Sequence, residues 1–158
     1  MTNSIFDPLA CISCERDATQ NFIDILRQEQ AALQQPSASL LLLIANEKAH
    51  QAQQLAQLAD ARNYWLRKLG YTQDHIGMER GLRDCQAAAD VWEELLQLAE
   101  TASQLNKING ILVGQRLRYT QQAISVLQAS THGGPNTRLY CSDGQPQPLF
   151  GGRQLGEG

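Results

Sequence analysis

Residues 37–70 read SASLLLLIANEKAHQAQQLAQLADARNYWLRKLG, and one row through them decides the fold. Leu41, Ala45, Lys48, Ala52, Leu55, Ala59, Arg62, Leu66 and Leu69 recur in alternating steps of four and three, as in coiled-coil packing. Lys48 and Arg62 interrupt the row. Either their long stems lie along apolar surface while the charged heads stay in water, or they sit where the partner helix thins. Ser37 or Ser39 supplies a starting cap, and Gly70 after Arg67 and Lys68 reads as a stop with cations against the helix dipole. At ~1.5 Å per residue such a helix is roughly 45–50 Å long. That length predicts an elongated bundle.

Two further helical patterns flank this one. Upstream, Asp7-Pro8 is a helix-start pair, with a capping side chain and a proline suited to the first turn. Ile12, Thr19, Phe22, Leu26 and Leu33 follow at helical spacing, widened by Ile5, Leu9, Ile23 and Ala32, and Pro36 ends the run. Downstream, a short turn capped by Thr72 is expected over Gln73–Met78. A third long pattern runs from about Leu82 to Ser130. Its seam reads Cys85, Ala89, Trp92, Leu96, Ala99, Ser103, Asn106, Gly110, Val113, Leu117, Thr120, Ile124 and Leu127. Asn109-Gly110 is its weak point, because glycine inside a helix costs ~1 kcal/mol against alanine.

Composition agrees with helix. Leu, Gln and Ala supply 60 of the 158 residues, and Val, Ile and Thr only 19. The predicted fold is therefore all-α: three long antiparallel helices in an elongated, coiled-coil-like bundle over residues 1–131. Residues 132–158 hold seven of the twelve glycines and three of the five prolines, and read as a flexible tail. A net charge of −3 argues against nucleic acid as a partner. The longest apolar run, Leu40 to Ala45, is far short of the ~18 residues of a membrane span. No signal peptide is evident, so a cytoplasmic protein with reduced cysteines is expected.

Chemistry is sparse. Cys11-x-x-Cys14 lacks both a βαβ context for redox work and a second pair for zinc. Glu47-x-x-His50 is half of a di-iron motif, without its other half. No phosphate loop, nucleophile elbow or His-Glu-x-x-His is present. An enzyme is not expected, and neither a cofactor nor a metal. Gly110-x-x-x-Gly114 leaves two readings open, close helix approach or a hinge. The more informative feature is a second row on residues 105–130. Leu105, Ile108, Leu112, Tyr119, Ala123 and Val126 lie beside the seam. Two rows mean either a wide core or an apolar strip left for an amphipathic helix.

The same region carries a resemblance. Asn106-Lys-Ile-Asn109-Gly110-Ile-Leu-Val113, Arg116-Leu-Arg-Tyr-Thr120, Ala123-x-x-Val-Leu127 and Leu139-Tyr140-x-x-Asp143-Gly144 together resemble the FlgN family of flagellar type III secretion chaperones. Cys141 stands where the family pattern would place glycine. The resemblance implies a cytoplasmic export chaperone for the hook-filament junction proteins. It implies as partners the C-terminal helices of hook-associated proteins 1 and 3, and the flagellar export gate or ATPase complex. An apolar strip left open without cargo is expected to be masked by self-association, as a homodimer, or by the tail. On this reading the cargo-binding residues are Ile108, Leu112, Tyr119, Ala123 and Val126, continued by Leu139 and Tyr140. Tyr140 could instead contact the export gate. The alternative is a structural or oligomerising coiled coil without dedicated cargo. Asn106 and Asn109, polar residues on a buried seam, are expected to fix helix register.

Overall fold

The computed structural model describes residues 7–132, and these are helical throughout apart from short connections. Four helices follow in order: α1 (Pro8–Leu33), α2 (Ala38–Lys68), α3 (His75–Gly81) and α4 (Gln86–His132). No strand occurs among the described residues. The tail, with Leu139 and Tyr140, lies outside them.

The helix ends follow from local chemistry. Asp7 accepts from the backbone N–H of Leu9 and Ala10 at 3.0 and 3.3 Å, and Pro8 occupies the first turn. Ser37 caps α2 through the Leu40 N–H. Gly70 terminates α2 at φ 74°, a left-handed value that favours glycine, and Tyr71 N–H returns to the Leu66 carbonyl at 3.0 Å. The short helix starts later than its expected position over Gln73–Met78. Its cap is Asp74, which accepts from Gly77 N–H at 2.8 Å, while Thr72 donates to Asp74 at 2.6 Å. These two hydrogen bonds hold the Asp74 carboxyl below the usual carboxylate range. A Cβ at Gly77 would collide with the Thr72 carbonyl, so the turn requires glycine there.

The chain divides within α4 into two compact units, residues 1–117 and 118–158. In the first unit the core forms three apolar clusters. Ile12, Leu66, Met78, Leu82, Ala88, Trp92 and Leu95 join all four helices at one end. Ile23, Leu26 and Ala102 tie α1 to α4. Ile25, Ala32 and Ile44 tie α1 to α2. Burial of this kind stabilises by about 25 cal/mol per Å² of apolar surface. In the second unit, every described side chain from Arg118 to Thr131 is exposed.

Helix α4 continues unbroken through Asn109-Gly110. Its expected seam holds over Cys85, Ala89 and Trp92, which pack in the core, and is out of phase from Leu96 onward. Leu96, Ala99, Asn106, Gly110, Val113 and Leu117 are exposed. The side chains turned inward are one position off: Leu95, Leu98, Ala102, Leu105, Asn109, Leu112 and Arg116. Asn109 and Arg116 are polar, which hid this row from a reading based on apolar periodicity. Lys48 and Arg62 differ from expectation too, because each is an ion-pair partner of α1 rather than a snorkelling cation.

Candidate docking site

Two polar clusters fasten α1 to its neighbours. Near its C-terminal end, Glu29 receives Lys48 Nζ from α2 at 2.8 Å and Asn109 Nδ2 from α4 at 2.8 Å. The same Asn109 Nδ2 donates to the Leu26 carbonyl at 2.8 Å. Arg116 then donates to the Leu33 and Gln35 carbonyls at 3.3 and 2.8 Å, filling acceptors that a helix C-terminus leaves open. Asn109 thus fixes the α1–α4 register, whereas Asn106 is exposed and has no such role.

Near the start of α1, Glu15 accepts from Arg62 at 2.7 Å, and the Arg62 guanidinium stacks over the Trp92 ring, 4.9 Å from its centroid. Glu15 is only 6% exposed. Burial raises its carboxyl above the ordinary range, and Arg62 opposes the shift. Glu15 Oε2, Arg62 Nε and Trp92 Nε1 are buried without a hydrogen-bond partner.

This second cluster stands at a groove of about 460 Å³ with α1 as its floor. Thr19 and Phe22 come from α1, Leu55, Ala56 and Ala59 from α2, and Leu95, Leu96, Ala99 and Ala102 from α4. The groove exists because α2 is incompletely covered. Of its nine-residue seam only Leu66 is fully buried, and Ala45, Ala52 and Leu69 are exposed. Residues three and four apart share a helix face, so the groove face of α4 continues through Asn106, Gly110, Val113 and Leu117. Nothing lies within 4 Å of a Cβ built at Gly110 or Gly114, so neither glycine serves close packing among the described residues.

The sequence-derived docking row is placed as follows. Ile108 is exposed in the first unit, and Leu112 is half-buried between Asn109 and Arg116. Tyr119, Ala123 and Val126 are exposed in the second unit, Tyr119 at 72% and Val126 at 67%. Sequence reasoning missed Glu15, Arg62 and Trp92. The signal was present in Arg62, a cation at a seam position seven residues before Leu69.

Other candidate chemistry is dispersed. Glu47 and His50 are both exposed on α2. Burial, followed by the nearby Glu15, raises the Cys11 thiol, which disfavours its thiolate. Among the described residues, no group of three or more His, Cys, Asp or Glu could hold a metal ion, and no helix is long and apolar enough to cross a membrane.

Fold and surface together define a helical protein that presents apolar helix faces and an open groove. The family model described as FlgN protein matches residues 1–148, and the chain belongs to the FlgN family. It is 28% identical over 109 residues to the flagella synthesis protein FlgN of Proteus mirabilis, covering 64% of this chain and 72% of that one. It is 31% identical over 86 residues to the protein of that name from Yersinia enterocolitica, covering 54% and 56%. A solved Pseudomonas aeruginosa structure, described as a flagella synthesis protein, shares the fold. Its TM-score is 0.61 at 24% identity, over 75% of this chain and 94% of that one.

Proposed function

We propose that the protein acts in flagellar synthesis as a cytoplasmic, non-enzymatic export chaperone. It holds the C-terminal helices of hook-associated proteins 1 and 3, keeps them from assembling early, and hands them to the flagellar export apparatus. Family membership supports the flagellar role. The observation that carries the chaperone reading is the amount of large apolar surface left open along α4. Ile108, Ile111, Val113 and Leu117 are exposed in the first unit, and Tyr119, Ile124, Val126 and Leu127 in the second. Surface of this kind marks interaction sites and invites aggregation when left open. The contact row is Ile108, Leu112, Tyr119, Ala123 and Val126, extended by Leu139 and Tyr140. Tyrosine is enriched among residues that dominate binding energy.

The test uses Tyr119→Asp and Val126→Asp, both at exposed positions, titrated against a purified hook-associated protein by calorimetry. Each should cost at least ~2 kcal/mol of affinity, the hot-spot scale, with an unchanged thermal midpoint. Normal binding by both variants would remove the row from the contact surface. A wild-type chain that binds no hook-associated protein, yet is a stable oligomer alone, would favour a structural coiled coil.

A further inference from the structure

The groove between α2 and α4 is a place where one helix is missing. Its floor on α1 is formed by Phe22 with Glu15 and Thr19, and its walls are lined largely by alanine and leucine, which allow another helix to come close. The seam of α2 faces it half-covered. At its end, Glu15 and Trp92, at 6% and 8% exposure, hold polar atoms without partners, as does Arg62. Arg62, half-buried where α2 meets this end, is the cation an occupant meets there.

Resting on the chaperone reading, we propose that this groove seats one amphipathic helix of the exported partner, with its C-terminal end at Arg62 and Trp92. The last turn of any helix leaves carbonyls without intrahelical donors. The negative end of the helix dipole they form meets the Arg62 cation at the groove's end.

Charge fixes the rest of the partner's chemistry. Around the Trp92 end, α4 carries Asp90, Glu93 and Glu100, besides Glu94, which pairs with Arg16 of α1. From Thr101 to Leu117 the helix has no acidic residue, and Lys107 stands exposed there. The docked helix is therefore basic toward its C-terminal end and acidic toward its N-terminal end. That order is also the one a helix dipole favours. The occupant is a helix apolar on one face and graded in charge along its length.

The experiment titrates a purified hook-associated protein into the full chain and into Ala56→Trp and Ala99→Trp. Both alanines are exposed and line opposite walls, so the bulky side chains fill the groove without entering the core. Each variant should keep the wild-type thermal midpoint and bind about thirtyfold more weakly. Should either fail to fold, Ala56→Glu and Ala99→Glu give the same readout. Lys107→Glu should weaken binding by several-fold at low salt and less at high salt. Folded groove variants that bind like wild type overturn the proposal while leaving the chaperone reading intact. A wild-type chain that binds no hook-associated protein overturns both. If Ala99→Trp instead converts a dimer of the free chain to a monomer in sedimentation, with partner binding unaffected, the groove is an interface between copies and the proposal falls.

Discussion

The two polar clusters on α1 make an instructive pair. At Glu29 both carboxylate oxygens are engaged, by Lys48 and Asn109, and only Asn109 Oδ1 is left over. At Glu15, one ion pair leaves Glu15 Oε2, Arg62 Nε and Trp92 Nε1 without partners. Both clusters are built from a glutamate on α1, a cation on α2 and a third group on α4. One engages both oxygens of its glutamate and sets register. The other borders an open groove and is incomplete. The difference separates a structural fastening from a surface that awaits an occupant, although the residue types alone look alike.

Removing the cation at the incomplete cluster should give the largest effect. Arg62→Leu leaves the Glu15 carboxylate buried and unpaired, which costs about 3–5 kcal/mol. Without the opposing guanidinium the Glu15 carboxyl rises further. A carboxyl whose folded value lies above its unfolded value contributes stability that is complete below the unfolded value. It is lost as pH rises through the folded one. The deficit of Arg62→Leu against wild type should therefore shrink as pH falls toward the ordinary carboxylate range, about 4.3. Thermal midpoints of both chains across that range check this. A pH-independent deficit would mean that lost packing over Trp92, not the orphaned charge, explains the cost.

At the Glu29 cluster the expected loss is smaller. Asn109→Ala removes the donor to Leu26 and Glu29 but leaves Lys48 in place, costing about 1–3 kcal/mol. Denaturant unfolding should show a lower midpoint with an unchanged slope. Loss of partner binding with full stability would reverse the assignment of the two clusters.

Much of the fold was legible because helix ends are written locally. Asp7-Pro8, Ser37 and Gly70 each mark a boundary that the backbone obeys. The inward row of α4 was legible only in part: Leu105, Leu112 and the register role of Asn109 were expected, whereas Leu95, Leu98, Ala102 and Arg116 were not. Apolar residues flank it on both sides, so the periodicity admits two phases, and its own members include Asn109 and Arg116. Which polar residue is turned inward becomes readable only once its partners across the chain are known, as Glu29 for Asn109 rather than Asn106, and the terminal carbonyls of α1 for Arg116. For the same reason Lys48 and Arg62 read as interruptions of a seam, although each is a cross-link. The groove was signalled only by Arg62 in the seam, as a place where the partner helix thins, and its lining could not be read because it arises from what α2 lacks on its third side.

The smallest expected effect tests the open side of the comparison from the opposite direction. Gly110 sits on the α4 face that continues the groove, with open space where a Cβ would go. Glycine inside a helix is unfavourable by about 1 kcal/mol against alanine, through backbone entropy and lost helix propensity. With no neighbour to clash, Gly110→Ala should raise stability by up to that amount. A chain selected for stability alone would gain from the change. If the glycine lets a partner helix approach closely, the same methyl group should weaken partner binding while the thermal midpoint rises. Stability and affinity then move in opposite directions, which neither a purely structural glycine nor a simple loss of folding produces. Calorimetric titration of the partner beside a thermal melt reads both quantities on one variant. A rise in midpoint with unchanged affinity would limit the docked helix to the segment between Trp92 and Ala102.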